Sequence, residues 1–213
     1  MGHKINPLGF RIGITEPHRS NWYAKGKKYS TLVLQDHKIR TFLKDRFFSA
    51  AVEKIQIERK AERVVITMHA ARPGVIIGKR GAEIEALTKH LEGIASTGVK
   101  VNIQEVRKPD VVAQLVAENV AEQLIRRGSF RRAMKRAVEN AMREGAKGMK
   151  INISGRLGGA EIARSEHDSA GSVPLNSLST RIDYGYATAL TSAGIIGVRV
   201  WINHGKYADQ QAG

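Results

Sequence analysis

Gly78-Lys79-Arg80-Gly81 is the stretch of this sequence with the residue types and spacing to do chemistry. Two glycines bracket two cations, after the apolar run Val75-Ile76-Ile77 and before the amphipathic run Ala82-Glu83-Ile84-Glu85-Ala86-Leu87. Glycine admits backbone angles closed to other residues and leaves no Cβ between the main chain and a ligand. Gly81 stands where a helix begins, so free N–H groups and the positive end of a helix dipole face whatever lies over the loop. Lys79 and Arg80 add two full charges at the same spot. The chemistry on offer is a non-covalent grip on the phosphates of a nucleic acid. A lone G-x-x-G is more often a turn with a solvated basic tip, so the loop needs support from the rest of the chain. A nucleotide-hydrolase phosphate loop is excluded. Gly74 and Gly78 are one residue too close, and Arg80 stands where a magnesium-binding Ser or Thr belongs.

Charge supplies part of that support. Lys and Arg number 35 against 20 Asp and Glu, a net charge of +15 with a pI near 10.3. Such an excess favours a polyanionic partner and salt-sensitive binding. Nucleic acid leads, with an anionic membrane surface as the alternative. No apolar run approaches the roughly 18 residues of a spanning helix, and Met1-Gly2-His3-Lys4-Ile5-Asn6-Pro7 lacks a signal-peptide core. The absence of cysteine removes disulfides, thiolate metal sites and cysteine nucleophiles. The seven histidines match no metal spacing. His167-Asp168-Ser169 has triad residue types, but three consecutive side chains do not readily form a relay. The expectation is a cytoplasmic, non-enzymatic protein with no catalytic or metal site, no cofactor and no small-molecule substrate.

Two further basic regions accompany the loop. Residues 1–37 read as an arm, in which Lys4, Arg11, Arg19, Lys25, Lys27 and Lys28 are interleaved with Phe10, Trp22, Tyr23 and Tyr29. Cations beside aromatics suit a segment lying on RNA, or the aromatics tuck into the domain behind. The second region is an elbow between two helices. Val112, Val116, Val120 and Leu124 mark the first helix, closed by Arg126-Arg127-Gly128 with the glycine as C-cap. Ser129 caps the second, whose apolar stripe is Phe130, Met134, Ala137, Val138, Ala141 and Met142. Arg126, Arg127, Arg131, Arg132, Lys135 and Arg136 bring six cations and no acid. That density points to a nucleic-acid contact rather than a merely solvated face, although Glu139 within reach of Arg136 and Lys135 softens the field.

The elements that must position these groups follow from periodicity. Ile39, Phe42, Leu43 and Phe47 define a helix over His37–Phe48. Val52, Ile55 and Ile57 lie in one strand, and Val64, Val65, Ile66 and Met68 in a second. Pro73 opens a short helix through Ile77. After the glycine loop, Ile84, Leu87, Leu91 and Ile94 mark a helix ending near Gly98, and Val99, Val101, Ile103 and Val106 a third strand. This order, with Ile-Ile-Gly-Lys-Arg-Gly at the join of two helices, resembles a type II KH domain. The resemblance implies a clamp on single-stranded RNA through Gly78, Lys79, Arg80 and Gly81. The fold class expected is α+β: the arm over 1–37, the type II KH domain over 38–107, a second two-layer α+β domain over 108–205, and a tail over 206–213.

Beyond the elbow, Met149, Ile151 and Ile153, then Thr180–Tyr184, then Ile195–Ile202 read as strands. Between the first two lies the glycine-rich run Gly155–Glu166, whose Arg156 and Arg164 could meet phosphate or simply belong to a turn. Gly2-His3-Lys4, Gly9-Phe10-Arg11, Arg72-Pro73-Gly74, Glu105–Pro109, Phe130–Ala137, Ser154–Arg164, Val173-Pro174-Leu175 and Ile182-Asp183-Tyr184 together resemble the ribosomal protein S-three family of the small subunit. The resemblance implies a place in the subunit head, bound to ribosomal RNA and to neighbouring head proteins, with no membrane partner. It further implies that Arg131, Arg132 and Lys135 line the entrance for messenger RNA and help resolve its structure. Arg126, Arg127 and Arg136 are further basic contacts, and Lys4, Arg11, Arg156 and Arg164 are candidate ribosomal RNA contacts. Ser169-Ala170-Gly171-Ser172 departs from the arginine many relatives carry, which weakens an RNA contact there. The rival readings are a free-standing KH adaptor or assembly factor, and an RNA-processing enzyme that would need a catalytic module the sequence lacks.

Overall fold

The computed structural model describes residues 4–60, 63–78 and 81–207. They fall into two compact units, one of residues 18–107 and one joining residues 4–17 to 108–207. The arm expected over 1–37 is therefore not one segment; its two parts belong to different units. Among the described residues no helix is long and apolar enough to cross a membrane.

The first helix, α1 (Pro7–Arg11), belongs to the second unit. The first unit holds β1 (Ser20–Asn21), α2 (Lys27–Arg46), β2 (Val52–Arg59), β3 (Arg63–Ala70), α3 (Pro73–Ile77), α4 (Ala82–Ala95) and β4 (Gly98–Glu105). Its sheet runs β1-β2-β3-β4, with β2 and β3 antiparallel and both outer pairs parallel. A tight connection allows the antiparallel pair, whereas the parallel step from β3 to β4 needs the crossover through α3 and α4. Alternation along β3 buries Val64, Ile66, Met68 and Ala70, which meet Ile39 and Leu43 of α2 and Leu87 and Leu91 of α4 in one core. From α2 to β4 the elements follow the order expected from periodicity, while the two-residue β1 is an addition to it.

Helix α2, however, starts ten residues before His37. The extra turns present Tyr29, Val33 and Leu34 to solvent, so they carry no apolar stripe to read. What seats them is Asp36, buried in the first unit. Its Oδ1 accepts from Nε and Nη2 of Arg59 at 3.0 and 2.6 Å, and its Oδ2 from the Trp22 indole at 2.8 Å. Burying this carboxylate is tolerable because it is paired and hydrogen-bonded at once.

The second unit continues with α5 (Ala113–Ile125), α6 (Phe130–Arg143), β5 (Gly148–Gly155), β6 (Arg164–Gly171), β7 (Thr180–Thr191) and β8 (Gly194–Lys206). Its antiparallel sheet runs β6-β5-β8-β7. Met149, Ile151 and Ile153 of β5 with Val198, Val200 and Ile202 of β8 face the buried side of α5 and α6. Backbone N–H of Ala113 donates to Asp183 Oδ2 at 2.7 Å, a long-range cap for α5. A Cβ on Gly185 would sit 2.1 Å from the Ala113 carbonyl oxygen, so glycine permits helix and strand to touch. Strand β6 was not anticipated. It is a polar edge strand, and the sequence Arg-Ser-Glu-His-Asp-Ser-Ala-Gly has no apolar alternation.

Candidate nucleic-acid interface

The glycine loop joins α3 to α4. Gly78 ends α3 with φ 69° and ψ −174°, and Gly81 stands before α4 with φ 81° and ψ 2°. The Gly78 angles lie in a region essentially reserved for glycine. A Cβ there would also come 2.5 Å from Glu83 Cγ. Both glycines thus serve the conformational role expected of them. Lys79 and Arg80 lie outside the described residues. Behind the loop Ile76 is fully buried, while Val75 and Ile77 remain 45% and 42% exposed, leaving apolar surface beside the two glycines.

Sequence reasoning missed one partner of this loop. Glu83, in the first turn of α4, places an acid next to the glycines, and Arg46 of α2 pairs with it at 3.0 Å. The pair is exposed and weak in stability terms, but it cancels a charge that would repel phosphate. The two residues are 37 apart in sequence, so no local spacing betrays the contact.

At the elbow, Arg127 N–H donates to the Leu124 carbonyl at 3.0 Å and Gly128 N–H to the Gln123 carbonyl at 2.9 Å. This is a Schellman closure, whose left-handed residue is Arg127 with φ 58°, not Gly128. Gly128 is needed instead for close approach: a Cβ would lie 2.8 Å from the Gln123 oxygen. Ser129 occupies the N-cap of α6, but its side chain makes no capping bond. Helix α6 buries Ala133, Met134, Val138 and Ala141, leaving Arg131, Arg132, Lys135 and Arg136 exposed. Two acids trim the field, Glu122 pairing with Arg126 and Glu139 with Lys135 at 4.0 Å. Among the described residues Arg127, Arg131, Arg132 and Arg136 form no ion pair. Phe130 gathers two guanidinium groups near its ring, Arg131 at 5.5 Å and Arg164 at 5.9 Å.

The remaining expected contacts divide. Arg11 is corrected: it is wholly buried and donates to the carbonyls of Thr180, Pro7, Leu175 and Ser177 at 2.7–3.2 Å. Its guanidinium staples α1 to the segment before β7 and has no face for phosphate. Arg156 is half-buried and donates to the Ala160 and Ala193 carbonyls at 2.8 and 3.1 Å, holding the glycine turn to the β7–β8 hairpin. Lys4 and Arg164 are exposed, the latter 3.9 Å from Glu166. Of the arm aromatics, Trp22 tucks in against Asp36 and Phe10 is half-buried, whereas Tyr23 is 81% exposed and Tyr29 exposed too. His69 and His204 are held below the ordinary histidine range by burial, so neither adds to the positive field at neutral pH. No metal-binding cluster occurs among the described residues, and His167, Asp168 and Ser169 alternate along β6.

Comparison with known proteins bears on both basic sites. Residues 38–111 match the family profile described as a KH domain, and residues 120–202 the C-terminal domain of ribosomal protein S3. Small ribosomal subunit protein uS3 of Granulibacter bethesdensis is 55% identical over 210 residues, spanning 99% of this chain and 93% of its own. This chain belongs to the uS3 family. The uS3 of Syntrophomonas wolfei is 53% identical over 206 residues, covering 97% of this chain and 90% of its own. That of Rhodopirellula baltica is 47% identical over 218 residues, covering 100% and 92%. The α+β class, with a KH domain ahead of a second domain, agrees with these matches. uS3 proteins are named as ribosomal proteins and not as enzymes, in keeping with the non-enzymatic reading. The KH match takes in the glycine loop, and the S3 match the elbow.

Proposed function

We propose that this chain is a structural RNA-binding component of the head of the small ribosomal subunit. It binds ribosomal RNA and neighbouring head proteins, works in the cytoplasm as part of the ribosome, and meets messenger RNA at its entrance. The uS3 relationship supports the ribosomal part. The observation that carries the messenger contact is α6. Its inner face is filled by core residues, while Arg131, Arg132 and Lys135 project away from that core. Cations so placed contribute little to the fold; Arg131 and Arg132 form no ion pair among the described residues and Lys135 only the exposed 4.0 Å pair with Glu139, which phosphate can displace. They bias a fraying duplex toward its open strands without ATP, because preferential binding to single strands shifts the equilibrium by mass action.

The test is a triple replacement, Arg131→Ala, Arg132→Ala and Lys135→Ala, in translating ribosomes. Alanine favours helix and the core is untouched, so folding and incorporation are expected to survive. Unstructured messages are translated nearly normally, and messages with a stable hairpin just downstream stall more. Equal slowing on both messages returns the elbow to a plain ribosomal RNA anchor.

A further inference from the structure

The sheet of the second unit has a face that α5 and α6 do not cover. On it, strand register builds two rungs across three strands. Lys150 of β5 and Tyr184 of β7 both stand opposite Trp201 of β8, and Asn152 and Tyr186 both stand opposite Arg199. Lys4, Asn6, Pro7 and Leu175 wall this ladder into a concavity of about 620 Å³. That volume suits a nucleotide-sized ligand, within the usual 300–1,000 Å³ of ligand sites.

The lining has a particular chemistry. Three aromatic rings accompany three cations, Lys4, Lys150 and Arg199, and among the described residues no carboxylate lines the cavity. The Tyr184 and Trp201 rings lie 5.6 Å apart and are tilted by 48°, so neither consumes the face of the other. Asn152 Oδ1 is buried with no hydrogen-bond partner among the described residues. Aromatic faces for bases beside cations for phosphates are how proteins hold single strands. A protein partner would need acidic side chains to answer three cations, whereas RNA brings its charge at every nucleotide.

We propose that this concavity receives one or two unstacked bases of a single-stranded RNA segment. Tyr184, Tyr186 and Trp201 form the stacking platform, and Lys4, Lys150 and Arg199 contact the flanking phosphates. The site shares no residue with the glycine loop or the elbow, and stands whether or not the elbow meets messenger.

The chain has two tryptophans, so Trp22→Phe in the full-length protein leaves Trp201 as a local reporter. Titration with tetrauridylate is expected to quench its emission saturably. Tyr186→Ala, or Lys150→Ser with Arg199→Ser, weakens that midpoint about tenfold, the scale of one lost stacked base. Lys79→Asp with Arg80→Asp leaves it within about twofold. No quenching while a labelled oligomer is bound elsewhere on the protein overturns the site. A second measurement does not depend on the Trp22 variant. Ultraviolet irradiation of intact small subunits is expected to leave nucleotide adducts on peptides carrying Tyr184, Tyr186 or Trp201. Cross-links from Lys150 to a protein, with no nucleotide adduct on those peptides, overturn the proposal and assign the face to a protein neighbour.

Discussion

The glycine loop and the elbow both mark the meeting of two helices, and both are candidate phosphate contacts. They are built by opposite means. At the loop the backbone is the candidate instrument: two glycines at positive φ shape the main chain at the start of α4. At the elbow the side chains are the instrument, and an arginine even occupies the left-handed position that glycine usually fills. At the loop a Cβ on Gly78 would come 2.5 Å from Glu83 Cγ, while the exposed cations of α6, Arg131, Arg132, Lys135 and Arg136, can be replaced with no such clash. At Gly78, therefore, stability and binding are coupled, whereas on α6 they separate.

Gly78→Ala tests the loop most severely. It places a Cβ 2.5 Å from Glu83 Cγ and forces alanine into angles it rarely adopts. A loss of about 2 kcal/mol or more in denaturant stability is expected, together with weaker single-strand binding. Unchanged stability and binding would break the contrast, since the loop would then not depend on glycine geometry. Lys79→Asp with Arg80→Asp comes next and acts on binding only. Two lost phosphate contacts flatten the logarithmic salt dependence of single-strand binding by about 1.4, with the circular dichroism spectrum preserved. An unaltered slope would mean that the loop's cations carry no phosphate.

Arg127→Gly has the smallest effect and the most informative sign. Releasing a non-glycine residue from φ 58° removes about 1 kcal/mol of strain, partly offset by the entropy of the added glycine. A net gain of about 0.5 kcal/mol in urea unfolding is expected, with reduced affinity for RNA. A loss of stability would show that the Arg127 side chain holds the Schellman turn, making the elbow as structurally constrained as the loop.

Much of the first unit was legible because its signals are local. Apolar, β-branched runs marked β2 and β3, alternation marked β4, a 3.6-residue period marked α4, and Gly78 and Gly81 declared themselves by type. The elbow was legible in the same way, its cations lying opposite an apolar stripe. Legibility failed where an element lacks that stripe. The first turns of α2 expose their apolar residues and are seated by Asp36, and β6 is polar on both faces and held by pairing with β5.

The sequence by itself determined the element types, the order of the KH elements, the position of the glycine loop and the excess of positive charge. Only the tertiary structure decided which cations face outward. Arg11 and Arg131 are the same residue type and both lie in segments read as basic, yet Arg11 spends its donors on carbonyls up to 169 residues away, while Arg131 is exposed on α6. Periodicity reports which side of an element is apolar. It cannot report which distant carbonyl will be close enough to satisfy a buried guanidinium, because that distance is set only when the strands and helices pack.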